Sequence, residues 1–490
     1  MSIGTIFSAS SITAKCSPEK EKNIFRDKFE RDRYRILYSK EFRRLNRKTQ
    51  VFISGFDDHV RNRLTHTIEV AQISQTICDR LGINSTLSTA IAYGHDVGHT
   101  PFGHVGERVL NYFMNGCFGS GNKVDLDKRG FKHNWQGVRV VTDLEKISDD
   151  NIPGLNLTDY TLWGILNHTK VNPKKCEYKN VDQGELCHFN RKEEPSKCEK
   201  CSLCFTYYKK YEDYFDQETS WTVEGLVVRM ADEIAQRHHD LEDGLFAGII
   251  DQKEIIGKLK ELFETYLSVG EIKKLDELLD VENSNIFIHT LSYLLVNFLV
   301  SQLLKDTKTS LEKLQKDFLL LTSDDFNNNK RNIFKIGTIE DGVFNSQIFS
   351  LVSYNSEFTE KEKRLQTFLR NRILNSHIAQ RMDGKSTYIL NQLINAYLEN
   401  PQQLPDNTIY LLYVRWKGNE LLNEYKEYTF QRMVGHLREN LKKDYLDTQN
   451  NEFRNALMRT ICDLIAGMTD DFAIEQYDKL YGTTNVFSNY

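Results

Sequence analysis

Proline is scarce in this chain, with 7 residues in 490. Because proline removes an amide donor and clashes with the preceding turn, so few of them leave long helices uninterrupted. An excess of positive charge is missing too: 64 Lys and Arg stand against 69 Asp and Glu, for a net charge of -5. That excludes a protein that coats nucleic acid by bulk attraction, so an anionic substrate must be gripped by a local cluster. We find no run approaching the roughly 20 apolar residues of a membrane span. The first 23 residues also lack a long apolar stretch behind a basic start. The expectation is a cytoplasmic protein with no membrane partner. The 9 cysteines are too few for a disulfide framework in a chain this long and suit a reducing compartment.

What is present is helical periodicity. Apolar residues recur at helical spacing in 24–50, in 61–82 (stopped by Gly82) and in 85–96, where Ser85 reads as the cap. The pattern resumes near His104 and continues through "HNWQGVRVVTDLEK", 158–170 and 221–248. Residues 171–215 lose it, and 251–490 regain it with no internal repeat. At 490 residues the chain exceeds the size at which one core usually stops growing. The expected layout is mainly α: a flexible segment 1–23, a helical core 24–250 interrupted by a cysteine-rich insertion 171–215, and a helical C-terminal region 251–490 packed on the core.

Three of the 13 histidines, with an aspartate and a glutamate, fall within "IAYGHDVGHTPFGHVGE", residues 91–107. A transition-metal site needs imidazoles and carboxylates brought to one point by several rigid elements. His66, the adjacent His95 and Asp96, and Asp232 on successive amphipathic helices offer that set. A lone histidine on an apolar face is usually a core residue, but four candidates on successive helices weaken that reading.

These residues, with the blocks "ERDRYRILYSKEFRRLNRKTQVF", "RLTHTIEVAQI", "GHDVGHTPFGHVGE", "FKHNWQGVRVV", "ADEIAQRHHDLEDG" and "GMTDDFA" in order, resemble the HD-domain phosphohydrolases. The resemblance is closer still to the deoxynucleoside triphosphate triphosphohydrolase, or dGTPase-like, branch. It implies an HD-domain helical core with His66, His95, Asp96 and Asp232 as metal ligands and His104 with Glu107 as the catalytic pair. The spacing of that pair makes independent sense, because i and i+3 share a helix face and the carboxylate can then orient the imidazole. His99 is left as a structural residue.

Asp232, Gln236 and Asp240 fall at i, i+4 and i+8 on one face. The resemblance implies that Asp240 accepts a hydrogen bond from the sugar 3′-hydroxyl. The family commonly carries Tyr where this chain has Gln236, so its selection against a 2′-hydroxyl is weakened. Arg63, one turn before His66, is implied as a phosphate contact; Arg43, Arg44, Arg47 and Lys48 are either further contacts or a solvated basic face. His133 and Asn134 match a block near the phosphates, with a structural hydrogen-bond role as the alternative.

The insertion carries Cys176, Cys187, Cys198, Cys201, Cys204 and His188 in a polar context. A structural zinc would supply the stability that apolar packing does not; free thiols, or an iron–sulfur or redox pair, are the alternatives. The expected activity is hydrolysis of deoxynucleoside triphosphates, dGTP among them, to deoxynucleoside and inorganic triphosphate. Mn, Fe or Zn suits the mixed ligands better than Mg. A homo-oligomer, with a nucleotide or single-stranded nucleic acid as effector, is the expected assembly. The rivals are an HD-type phosphodiesterase or nucleotidase, or a nucleotide-sensing or nucleic-acid-binding module with secondary hydrolysis.

Overall fold

A computed structural model describes residues 3–18, 25–50, 61–117, 129–146, 154–169, 214–335, 347–446 and 450–482. The cysteine cluster and His188 lie outside them. The first part of the chain forms α1 (Ile3–Phe7), α2 (Lys28–Tyr38), α3 (Lys40–Arg44), α4 (Arg63–Leu81), α5 (Ser85–His95), α6 (His104–Met114), α7 (His133–Arg139), α8 (Asp159–Asn167) and α9 (Val223–Phe246). After it come α10 (Gln252–Phe263), α11 (Val269–Leu278), α12 (Ser284–Asp317), α13 (Ser323–Phe334), α14 (Ser356–Leu374) and α15 (His377–Glu399). The last five are α16 (Asp406–Lys417), α17 (Asn419–Glu424), α18 (Phe430–Leu446), α19 (Asn451–Ala466) and α20 (Asp470–Tyr481). Among the described residues the only β pairing is an isolated bridge between Thr49 and Asn62.

Side-chain caps set the starts of the core helices. Asn62 accepts from the Thr65 amide, Thr158 from Thr161 and Thr222 from Gly225, each satisfying an orphan donor of the first turn. Gly82 ends α4 in the left-handed region at φ +73°. Ser85, read from the sequence as a cap, is instead the first helical residue. The cap is Asn84, whose side chain accepts from the Leu87 amide; both residue types cap well, so composition alone does not choose between neighbours.

Two apolar cores form among the described residues. The first unites α1, α2, α4, α5, α8 and α9 with the helices from α10 to α14. The second joins Val109, Leu110 and Phe113 of α6 to residues between Ile389 and Ala473. The helix that begins at His104 is thus anchored in a different core from the helices that carry His66, His95 and Asp232. Buried polar clamps tie the two together. Asp470 accepts from the Phe102 amide at 2.8 Å and the Thr49 amide at 2.8 Å. Asp463 binds the Arg139 guanidinium at 2.8 Å and Arg415 at 2.8 Å.

Three expectations are corrected by the packing. Residues 3–18, expected to be flexible, are docked: Ile6 and Phe7 are buried, and the Ala9 amide donates to Glu224 at 2.8 Å. Helix α12 is by length and composition apolar enough to cross a membrane, contrary to the reading of the sequence. Its residues Phe287, Leu291, Leu295, Leu299 and Leu303 are nevertheless buried in the first core. Lys48 is fully buried, its Nζ donating to the carbonyls of His99 at 2.5 Å and Ala466 at 3.1 Å. It is a strut between the cores and not a cation open to phosphate.

The turn after α5 passes so close to α7 that a Cβ on Gly98 would sit 2.1 Å from the Gly137 nitrogen and the His133 carbonyl oxygen. Gly257, in the body of α10, has nothing among the described residues within 4 Å of the equivalent point. Gly98→Ala is therefore expected to cost about 1–3 kcal/mol or more by forcing backbone apart. Gly257→Ala should stabilise by up to about 1 kcal/mol through helix propensity. Urea unfolding of the two variants checks both signs; a neutral Gly98→Ala would show that the helices can separate freely.

Candidate metal centre and catalytic site

The end of α5 supplies His95 and Asp96 because the chain must turn there, and the turn aims both side chains into the angle between α4 and α9. His66 Nε2 lies 3.0 Å from Asp232 Oδ1 and 3.9 Å from Asp96 Oδ2. His95 Nε2 lies 3.4 Å from Asp96 Oδ1 and 3.9 Å from Asp232 Oδ1. The four residues read from the sequence are thus brought to one point. His66, His95 and Asp96 are buried, and their ligating atoms are close enough together to hold one metal ion.

The hydrogen bond on the far side of His95 decides what its ring presents. His95 Nδ1 is 2.6 Å from the Ala92 carbonyl oxygen, an acceptor only, so Nδ1 is the donor there and Nε2 is the nitrogen turned toward Asp96 and Asp232. That buried Nε2 has no hydrogen-bond partner among the described residues. A buried polar atom without a partner is costly, and an imidazole nitrogen facing two carboxylates is the donor set that would hold a divalent cation. Burial alone would raise Asp96 and Asp232. The surrounding imidazoles, with the Arg63 guanidinium beside Asp96, outweigh burial and hold both well below the usual carboxylate range.

Asp96 is shared further. Arg63 Nη1 donates to its Oδ2 at 2.9 Å, and His99 Nε2 donates to its Oδ1 at 2.9 Å. Arg63 is buried, so in this structure its charge is directed at Asp96. His99, assigned a structural role from the sequence, stacks on His133 with centroids 3.9 Å apart. Burial, then the Arg63 charge, pushes His99 well below the ordinary histidine range.

His104 and Glu107 share a face of α6, but the closer partners of Glu107 are others. Its Oε2 is 3.8 Å from His104 Nδ1 and 2.5 Å from His133 Nδ1, while Lys132 Nζ donates to Oε1 at 2.5 Å. His104 is 68% exposed and Glu107 6%. His133 turns its other nitrogen to His168 Nε2 at 3.2 Å. His168 Nδ1 donates to the Ile165 carbonyl at 2.7 Å, and burial, then the neighbouring histidines His95 and His133, pushes His168 down to about 3. Asn134 donates to the Leu166 carbonyl at 2.9 Å and to Thr169 at 2.9 Å, which ties the end of α8 to α7.

His168, Lys132, Glu69 and His239 belong to this cluster and were missed in the sequence. Each has a weak signal at best: His168 follows a helix end as a single histidine, and Glu69 reads as an ordinary polar residue of α4. Gln236 and Asp240, at successive turns after Asp232, are partly buried. Burial raises Asp240 to about 6 despite the charges of Arg237 and Arg370. Arg43, Arg44 and Arg47 are exposed on the N-terminal helices, with Arg44 paired to Glu41.

Histidines and aspartates from successive helices around one buried point define an HD-domain phosphohydrolase. The HD domain matches residues 63–205, and the phosphohydrolase-associated domain matches 352–412 and 413–479. The chain is 30% identical to a deoxyguanosinetriphosphate triphosphohydrolase-like protein of Leptospira interrogans, over 94% of this chain and 92% of that protein. A protein of the same description from Rickettsia canadensis is 31% identical over 94% of each chain. Another from Geobacter metallireducens is 32% identical over 96% of this chain and 93% of its own. The chain belongs to the family of deoxyguanosinetriphosphate triphosphohydrolase-like proteins, as the ordered motifs indicated.

One carboxyl near the site titrates in a testable range. Burial lifts Asp243 to about 7; Arg61 opposes this, and Asp240 and Glu242 add to it. An unfolded aspartate ionises near 3.9, so between the two values the folded state holds a proton that the unfolded state has lost. Stability from this group is therefore complete below about pH 4 and lost as pH rises to about 7. Relative to Asp243→Asn, the wild type should lose on the order of a few kcal/mol between pH 5 and 8. Parallel urea midpoints for the two proteins across that range would refute the assignment.

Proposed function

We propose that the protein hydrolyses deoxynucleoside triphosphates to the deoxynucleoside and inorganic triphosphate, with dGTP among its substrates. The observation that carries this is the unpartnered His95 Nε2 facing the Asp96 and Asp232 carboxylates, with the exposed His104 on the neighbouring helix. His66, His95, Asp96 and Asp232 would hold a divalent ion, Mn, Fe or Zn in preference to Mg. Such an ion supplies Lewis-acid polarisation of the phosphoryl oxygens.

The remaining roles fall to the protein's own groups. Water attacks the α-phosphorus, the bond from phosphorus to the 5′-oxygen breaks, and His104 gives that departing oxygen its proton. Glu107 sets the charge beneath His104, and its bonds to His133 and Lys132 hold it in place. Arg63 contributes positive charge next to Asp96, and His133 with Asn134 lines the phosphate side. Asp240 accepts from the 3′-hydroxyl, and Gln236, smaller than a tyrosine, leaves more room at C2′.

Anion-exchange analysis of the products formed from each dNTP and NTP with Mn tests the reaction. Triphosphate and deoxynucleoside are expected; monophosphate or diphosphate products would make it a nucleotidase or phosphodiesterase instead. Asp96→Ala should abolish both metal retention and turnover. His104→Ala should keep the metal while losing roughly 10²- to 10⁴-fold in rate, the usual worth of a general acid. Near wild-type turnover in the folded His104 variant would remove it from the mechanism.

We also propose that the cysteines between 176 and 204 bind a structural zinc through four thiolates, or three with His188. Elemental analysis should find about one zinc per chain beyond the HD-site metal. Cys201→Ser with Cys204→Ser should lower it without disturbing that metal; a zinc content unchanged by the double substitution would refute the site.

A further inference from the structure

A second cluster of metal-ligating side chains, Glu69, His238 and His239, lies directly behind His66. Its place follows from helical spacing. His66 and Glu69 stand three residues apart on α4, and Asp232 and His239 stand seven apart, about two turns, on α9. Packing α4 against α9 then brings His66 to Asp232 and, two turns along, His239 to Glu69.

The hydrogen bonds run in one direction. Glu69 Oε2 accepts from His238 Nε2 at 2.9 Å and from His239 Nε2. Burial raises Glu69, but these bonds and the Arg61 charge outweigh it and keep the carboxylate ionised. With its Nε2 proton committed to Glu69, His239 offers Nδ1 as a lone pair. That atom is 3.3 Å from His66 Nδ1. His66 is therefore set to donate from Nδ1, which leaves Nε2, 3.0 Å from Asp232 Oδ1, as the nitrogen that would ligate a cation on the side of Asp96 and Asp232. Ala92 does the same for His95 through a carbonyl.

We infer that Glu69 and His239 are positioning residues: a carboxylate–imidazole relay that fixes the tautomer and orientation of His66 as a metal ligand. The relay rests on the metal-binding reading proposed above. A second metal at this cluster is the competing use of the same atoms. Against it, Arg61 Nε lies 3.1 Å from Glu69 Oε1, and the same guanidinium pairs with Glu242, so an ion there would face a fixed positive charge. The atoms of Glu69 are also already bonded to both imidazoles.

Outer partners of ligating histidines typically change metal affinity 10- to 100-fold. Manganese affinity, measured by chelator competition on the full chain with thermal unfolding in parallel, separates the cases. His239→Leu removes the acceptor and should weaken Mn binding roughly 10- to 100-fold. His239→Asn places an amide oxygen near the lost Nδ1 and should recover most of that loss. Glu69→Ala, at a partly exposed helix position that tolerates truncation, should weaken binding about tenfold and keeps the test open if His239→Leu fails to fold. The relay is overturned by wild-type affinity in His239→Leu or Glu69→Ala, or by equal losses in the Leu and Asn variants. Two Mn per wild-type chain, one of them removed by His239→Leu, would also overturn it and assign the cluster a metal. A wild-type chain that retains no Mn would sink the metal reading itself, an outcome distinct from all of these.

Discussion

A buried, ionised carboxylate at Asp96 is the constraint on which the rest of the site depends. Burying such a charge is prohibitive unless it is paired and hydrogen-bonded. Asp96 meets that condition through Arg63 on one oxygen and His99 on the other. Each partner is itself locked: Arg63 opens α4, and His99 lies in the turn that Gly98 allows to press against α7. The requirement to hold one charge thereby fixes the relation of α4, α5 and α7.

Around that carboxylate the protein concentrates imidazoles to an extent that folding stability does not explain. His66, His95, His99, His133, His168, His238 and His239 are all buried. Burial holds His99, His168 and His239 below their ordinary range, so these rings are neutral and present lone pairs. Apolar residues of similar volume would pack there at less cost, since buried ionic groups are often no more stabilising than hydrophobic replacements. The arrangement becomes economical only if a cation is to be held, and that links the energetics of the core to the function proposed for it.

The two-core construction has a mechanical consequence. His66, His95 and Asp232 belong to helices of the first core, whereas His104 and Glu107 ride on α6, whose apolar face is part of the second. The distance between the candidate metal ligands and the proposed acid is thus set by the clamps at Asp470, Lys48 and Asp463. The C-terminal helices act on the site by holding α6, and the "GMTDDFA" block near the end of the chain owes its place to the Asp470 clamp.

Short-range periodicity was legible in the chain itself. Helical spacing announced α4, α5, α8 and α9, and the step of i, i+4 and i+8 placed Asp232, Gln236 and Asp240 on one face, because a helix repeats every 3.6 residues whatever surrounds it. The HD pair, His66 and Asp232 stood out as histidines and carboxylates on successive predicted helices, and it was the resemblance to the HD family that implied their role as ligands. What only the tertiary structure decided are the pairings without a period: Lys48 with Ala466 across 418 positions, Glu69 with His239 across 170, and Glu107 with His133 across 26. A hydrogen bond between distant segments depends on how helices cross, and nothing local in either segment encodes the crossing. For that reason Lys48 read as a surface cation, Glu107 as the partner of His104 alone, and His168 as one histidine among many, until the packing of the helices gave each its neighbour.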